Sequence, residues 1–295
     1  MNKRISVAVI GSINLDLVAS VKVFPQPGET VTNAVVNHYP GGKGANQALA
    51  AHRLGATVYM VGRVGKDLEA DEALANLRGE GVDLSYCKTL DDQATGLAMI
   101  VVSSDGENQI VVAPGANAAF DAAHLQLPAT DASIAQLEIP FETILKAARN
   151  HSNFFCLNAA PAKPVPHEIL EHVDLLVVNE IEARTLGEEL DSYNGLLATT
   201  FGSRGAVLSR EGREIARAAP PKVDVVDTTG AGDAFTAALT VALVSGMEPQ
   251  AAVEQACVVG ALATTKMGAQ SSPTLKEVQA YLYKEQPAKP VANRG

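Results

Sequence analysis

The sequence predicts an α/β protein in which helices flank a mostly parallel central sheet and a small second β-sheet forms a lid. Three observations carry that expectation. Short apolar runs alternate with helix-like segments for most of the chain, the pattern of parallel strands joined by right-handed crossovers. Residues 15–38 and 96–113 break the rhythm with strand-like pieces around turn signals. After residue 230 the pattern turns helical.

Taken in order, ISVAVIG (5–11) reads as the first buried strand. Basic residues precede it as in a signal peptide, yet Asn14 and Asp16 interrupt the apolar stretch, so a strand is the better reading. Residues 15–38 hold strand-like pieces around a Pro-rich bend, and KGANQALAAHRLG is a helix that ends at Gly55. TVYMVG (57–62) is a second buried strand, followed by a helix that opens at Asp67 and stops near Gly79. Residues 96–113 read as a hairpin turning at Asp105–Gly106. ASIAQLE (132–138), NFFCLN (153–158) and DLLVVN (174–179) are apolar enough to be buried on both faces. Helices at 231–245, 249–265 and 274–285 complete one domain, 1–286, with a frayed tail at 287–295. Long connections over strand ends are where gates are found, so the two interrupting segments are expected to form the lid.

Composition narrows the function. Of 295 residues, 47% are apolar but only 4% aromatic, with no Trp, so the core must be built from Ala, Val, Leu and Ile. Stacking platforms for nucleic-acid bases are scarce. A net charge of −10 argues against nucleic-acid or anionic-membrane partners, which need clustered Lys and Arg. Cys87, Cys156 and Cys257 are odd in number and far apart, which speaks against a disulfide framework or zinc site. No apolar run reaches the roughly 20 residues of a membrane span. A soluble cytoplasmic protein is expected.

The stretch VVDTTGAGDAF (225–235) carries the chemistry. Gly230, Ala231 and Gly232 precede a densely apolar helix. A glycine turn feeding a helix N-terminus directs free amides at one point, a seat for anionic oxygens. Asp233 lies beside that seat. By residue type alone it suits a helix N-cap equally well. A carboxylate next to a phosphate is otherwise unfavourable, and it gains a purpose if it takes the proton of a hydroxyl that attacks phosphorus. VIGSIN lacks the G-x-G-x-x-G fingerprint and GGKGAN lacks the upstream glycine of a P-loop, which disfavours a nicotinamide enzyme and a P-loop ATPase.

DTTGAGDAF resembles the C-terminal signature of the ribokinase-like sugar kinases, the PfkB family, and PGGKGANQALAAHRLG (40–55) is similar to the N-terminal one. The likeness runs from VIGSINLD to KMGAQSSP. Within the family, GSINLD, GGKGANQA, QLEIP, LNAAPA and GAQSS look most like the ribokinase branch, with deoxyribokinases close by. The resemblance implies a ribokinase-like three-layer sandwich with a β-sheet lid. It implies an ATP-dependent kinase that converts D-ribose to ribose 5-phosphate, and a homodimer paired through the lid strands.

Carried onto matching positions, the resemblance assigns Asn14, Asp16, Gly42, Lys43, Asn46 and Glu138 to the sugar. Asp233 becomes the base, with the amides around Gly230, Ala231 and Gly232 receiving charge from the transferring phosphoryl group. Asn179, Thr200, Gly202, Ser203, Gly205, Gly232 and Cys257 fall to ATP, and Glu182 to Mg²⁺ through water. Asp227, Thr229, Ala263, Lys266, Gly268 and Ser272 fall to K⁺, mostly through backbone carbonyls. The residue types leave plainer readings open: a turn at Asn14 and Asp16, a solvated strand end at Glu138, a first-turn helix acid at Glu182, a hairpin turn at GSRG (202–205), and a turn carboxylate at Asp227. His38, His52, His124, His151, His167 and His172 have no partner motif and read as structural or solvent-facing. Arg204 and Lys43 are the better candidates for phosphate or sugar contacts.

Three positions depart from the family pattern. The segment between Glu182 and Thr200 is shorter than its ribokinase counterpart, leaving little chain to spare for a parallel crossover. Ala237 and Cys257 replace what are often a glycine and a polar residue. Rival expectations are a kinase for deoxyribose, a nucleoside or a hexose, and a sugar-binding sensor with impaired phosphoryl transfer.

Overall fold

The computed structural model describes residues 4–151 and 153–285; the tail expected at 287–295 lies outside them. Strand β1 (Ser6–Ile10) enters the core at once, with Val7 and Val9 in one apolar layer and Ala8 and Ile10 in the other. That is the two-residue period of a strand covered on both faces. After β1 come β2 (Asn14–Ser20), β3 (Val35–Gly41), α1 (Lys43–Arg53), β4 (Thr57–Gly65), α2 (Leu68–Ala73), α3 (Ala75–Glu80) and β5 (Cys87–Leu90). The middle of the chain holds β6 (Gly96–Val102), β7 (Asn108–Ala113), β8 (Ala132–Gln136), α4 (Phe141–Asn150), β9 (Phe155–Asn158) and α5 (His167–Leu170). The last part holds β10 (Leu175–Asn179), α6 (Glu180–Leu186), β11 (Leu196–Thr200), β12 (Ala206–Arg210), β13 (Arg213–Ala218), α7 (Ala231–Val244), α8 (Pro249–Ala263) and α9 (Leu275–Glu285).

Nine strands form the main sheet in the order β13-β12-β11-β10-β9-β8-β1-β4-β5. From β11 to β5 all neighbours are parallel, while β12 and β13 add antiparallel at one edge. Buried residues of α1, α7 and α8 form one layer with the sheet, and those of α4, α5 and α6 the other. The expected three-layer sandwich is present. Its core is aliphatic, with Phe120 and Phe155 the largest fully buried side chains.

The second sheet has the order β3-β2-β6-β7, with β2 and β6 parallel and the two outer pairs antiparallel. Its strands extend the expected 15–38 segment to 14–41, whereas residues 21–34 carry no regular structure. The hairpin turns where expected, with Gly106 at φ +88°. Asn14 and Gly41 are paired in this sheet, and Gly42 immediately caps α1. The smaller sheet and the first helix of the main layer are thus one continuous piece of chain.

The shortened segment still closes a parallel crossover. β10 and β11 pair from Leu175↔Leu196 to Asn179↔Thr200, joined by the seven-residue α6 and a 3-10 turn. Tyr193 completes the short connection, donating from its hydroxyl to the carbonyl of Val173 at 3.0 Å.

Candidate active site

Polar residues from the carboxyl ends of β1, β8, β9 and β10 converge with the first turns of α1, α6 and α7, the crevice where open parallel sheets bind ligands. Helix α1 begins at Gly42, φ +86°, where a Cβ would lie 2.7 Å from Asn14 N and 2.8 Å from Ser12 O. Only glycine lets the helix start this close to β1. The tight start brings Lys43, Asn46 and Gln47 to the strand ends.

Helix α7 begins at Gly230, φ +77°, with no side-chain cap. A Cβ at Gly230 would sit 2.1 Å from Ala269 O. Asp233 is the third helical residue, and its carboxylate does not cap the helix. Its Oδ2 accepts from Asn46 Nδ2 at 2.9 Å and its Oδ1 from Gln47 Nε2 at 2.8 Å. The N-cap reading of Asp233 is thereby replaced by that of a buried acid held between two amides. Burial pushes its pKa up, Lys43 and the two amide donors pull it back down, and Glu138 adds to the rise. Gly230, Gly232, Asp233 and Lys43 line an open cleft together with Asn179, Glu182 and Thr200.

In the smaller sheet, Asn14 is buried and its Oδ1 accepts from Asn117 Nδ2 at 2.8 Å. Asp16 is buried beside Gly41, where a Cβ would overlap its carboxylate at 2.3 Å. Burial raises the Asp16 pKa to about 7, Glu138 and Asp233 add to the rise, and Lys43 opposes it. Glu138 Oε2 accepts from Ser12 Oγ and from Lys43 N at 3.2 Å, so it is built into the site and is not a solvated strand end. For the Lys43 ammonium, burial lowers the pKa, but Asp233, Glu138, Glu182 and Asp16 outweigh it and the net shift is upward. Asn46 Oδ1 is buried with no hydrogen-bond partner among the described residues.

Also on the cleft, Asn179 and Glu182 form a reciprocal capping box. Asn179 Oδ1 accepts from the amides of Ile181 and Glu182, and Glu182 Oε2 accepts from Asn179 N at 2.7 Å. The first-turn-acid reading of Glu182 is therefore correct locally, while its buried position on the cleft keeps a ligand role open. Gly202 and Ser203 sit in an exposed 3-10 turn, and Gly205 closes the turn with its amide to Gly202 O at 3.0 Å. Beneath α7, Asp227 Oδ1 accepts from Thr229 N and Oγ1, and Oδ2 from Gly268 N at 2.9 Å.

The family model for pfkB family carbohydrate kinases matches residues 4–276. The chain belongs to the pfkB family of carbohydrate kinases. This pfkB carbohydrate kinase is 39% identical over 292 residues to a ribokinase of Bacillus subtilis (strain 168), covering 94% of this chain and 99% of that one. Its fold matches a ribokinase from Thermotoga maritima with TM-score 0.88 at 32% identity, over 95% of this chain and 99% of the other. An Arabidopsis thaliana ribokinase complexed with ribose and ATP matches with TM-score 0.87 at 30% identity, again over 95% and 99%.

Several expected positions of this pfkB carbohydrate kinase lie away from the cleft wall. Cys257 is buried under β13, its thiol turned to Ala218 O at 3.6 Å and its pKa pushed up to about 11 by burial. Arg204 is exposed and paired with Glu180 at 2.6 Å. Lys266 reaches Glu277 at 3.0 Å on the surface. Both oxygens of Ser272 take Arg53 Nη1, and Ala263 O takes Ser271 Oγ. Of the histidines, His38 is exposed and bonds Glu72, joining β3 to α2.

The sequence reading of this pfkB carbohydrate kinase missed Ser12, Gln47, Asn117, Gln136 and Asn158. Gln47 had a usable signal, since it follows Asn46 inside the glycine signature. Asn117 had none: its Oδ1 accepts from Ile13 N, 104 positions away.

Proposed function

We propose that this kinase transfers the γ-phosphoryl group of ATP to the 5-hydroxyl of D-ribose, giving ribose 5-phosphate and ADP. The observation that carries the reading is Asp233: a buried carboxylate held by two amides on the cleft wall, one turn inside an uncapped helix. The ribokinase relatives support the substrate, and the buried, unpartnered Asn46 Oδ1 fits a ligand rich in hydroxyls.

In this reading Asp16, Asn14, Asn46, Glu138 and the loop at Gly42 and Lys43 orient the sugar, with the primary hydroxyl toward Asp233. The hydroxyl oxygen bonds to the γ-phosphorus as the bond to the β–γ bridging oxygen breaks. Asp233 takes the hydroxyl proton, and ADP carries away the electron pair. The amides of Gly232 and Asp233 receive charge developing on the phosphoryl oxygens. Asn179, Thr200 and the Gly202 to Gly205 turn support ATP. Closure of the lid excludes water and so disfavours simple hydrolysis.

Mg²⁺ fits the donor set. Glu182 is buried on the cleft beside Asn179 and Thr200, a set of oxygen donors that suits a hard ion which keeps waters and binds chiefly to substrate phosphates. Bound there, it would neutralise charge between the β- and γ-phosphates. K⁺ fits Asp227 and the neighbouring carbonyls in chemistry, with Ser272 the poorest member because Arg53 already donates to it. A homodimer through the lid is supported by exposed Val35, Val36, Ile110, Val111 and Val112 on β3 and β7. No helix among the described residues is long and apolar enough to cross a membrane, and a cytoplasmic location is part of the reading.

A coupled ADP-release assay with ribose, deoxyribose, nucleosides and hexoses tests the proposal. Ribose should give the highest kcat/KM, with 5-phosphate as the product by NMR. ADP release with deoxyribose preferred moves the substrate; sugar binding without any phosphorylated product overturns the kinase reading.

A further inference from the structure

Gln47 is fully buried on α1 and plays no part in the reaction as written above. Its Nε2 donates to Asp233 Oδ1 at 2.8 Å and to Asn158 Oδ1 at 3.1 Å, and its Oε1 accepts from Gln136 Nε2 at 2.6 Å. The direction of every bond follows from one end. The Val177 carbonyl can only accept, so Asn158 gives it Nδ2 at 3.2 Å and turns Oδ1 toward Gln47. Gln47 must then present Nε2 to Asn158, and the second proton of the same group points at Asp233. Gln136, fully buried on β8, holds the other end of the amide.

We propose that Gln47 is a positioning residue for phosphoryl transfer, locked by Asn158 and Gln136 so that it offers Asp233 only a proton donor and holds that carboxylate ionised and aimed. Its catalytic meaning rests on the kinase reading above; its effect on Asp233 rests on the hydrogen-bond chain alone.

The charged groups facing Asp233 leave this task open. Lys43 from α1 favours the ionised acid, whereas Glu138 after β8, Asp16 on β2 and Glu182 on α6 all oppose it. Helix α8, packed on α7, turns Cys257 to Ala218 and leaves Glu254 exposed. Burial works in the same direction as the three carboxylates. The field of Lys43 also reaches the acid whichever way its oxygens point, while a 2.8 Å hydrogen bond fixes one oxygen in place. Asn46 holds the other oxygen but is itself a proposed sugar contact.

Two variants test the inference in the full-length protein, each checked for native circular dichroism. Gln47→Leu removes the donor. Gln47→Met also removes it, with an unbranched side chain of similar length that adds no charge. In both, kcat for ribose at pH 7 should fall roughly 10- to 100-fold, with KM for ribose and ATP changing by less than about threefold. The acid limb of the pH–rate profile should move to higher pH. The Asp233 titration, followed by carboxyl ¹³C NMR and assigned with Asp233→Asn, should move the same way. A folded Gln47→Leu protein whose acid limb and Asp233 titration coincide with those of the wild type overturns the proposal. Should Gln47→Leu fail to fold, Gln47→Met decides by the same two readouts. If the wild type phosphorylates no sugar, the kinase reading falls, and the NMR titration alone decides the coupling of Gln47 to Asp233.

Discussion

Asn46 donates to Asp233 across 2.9 Å and 187 positions of sequence, joining the glycine loop that opens α1 to the glycine loop that opens α7. Each loop by itself is a turn before a helix. Their contact is what brings the two loops into one cleft, joining the amide proposed to bind sugar to the carboxylate proposed as the base. Asp233→Asn tests the chemical half of this relationship. The new amide keeps the shape but must face one of two donors with its own NH₂, at a cost of about 1–3 kcal/mol. The variant should fold and bind ribose by calorimetry, with kcat lowered about 10²- to 10⁴-fold in the ADP-release assay.

Gly230 and Gly232 should behave oppositely. Gly230→Ala puts a methyl 2.1 Å from Ala269 O at φ +77°, and should lower stability by about 1–3 kcal/mol as well as activity. Gly232 has ordinary backbone and nothing within 4 Å of a built Cβ, yet it lines the cleft. Gly232→Ala should leave the melting temperature unchanged and raise KM for ATP, since its methyl occupies the proposed phosphate seat. Thermal denaturation and steady-state kinetics separate the two.

Asp16 carries a stability prediction with a defined sign. Burial lifts its folded pKa to about 7, against 3.8 for an unperturbed aspartate. A raised carboxyl pKa contributes stability that is fully present below pH 4 and lost as pH rises through 7. Asp16→Asn mimics the protonated form. It should be more stable than the wild type at pH 8, by up to about 4 kcal/mol in urea denaturation, with the difference closing toward pH 4. Ribose affinity should fall at the same time, the exchange of stability for function expected of a buried acid in a binding site.

Asp227 ties the segment before α7 to the loop after α8 through Thr229 and Gly268. Asp227→Ala frees that segment and removes the charge proposed to hold K⁺. Activity should drop roughly tenfold, and the response of the wild type to added K⁺ should disappear. Titration of activity with KCl against tetramethylammonium chloride measures both.

Elements with a strong local signal were legible in the sequence. The first strand, the helix closed at Gly55, the hairpin at Asp105–Gly106 and the three C-terminal helices all lie within a few residues of expectation. β12 and β13 were not separated, because an edge hairpin exposed on one side lacks the continuous apolar run of the buried strands. In the site, glycines and acids in contiguous motifs were found. Cys257 was assigned to the nucleotide by resemblance alone, and packing against β13 turns its thiol inward.

By itself the sequence determined the alternation of strands and helices and the two glycine loops, and marked Asp233 as a candidate, since each depends on neighbours within one or two turns of chain. Whether Asp233 caps its helix or serves the cleft was decided only by tertiary structure, as was the recruitment of Asn117, Asn158 and Gln136. The physical reason is the range of the hydrogen bond. It requires partners within about 3 Å and in line, and residues 89 to 111 positions apart reach that distance only after the sheet has ordered its strands.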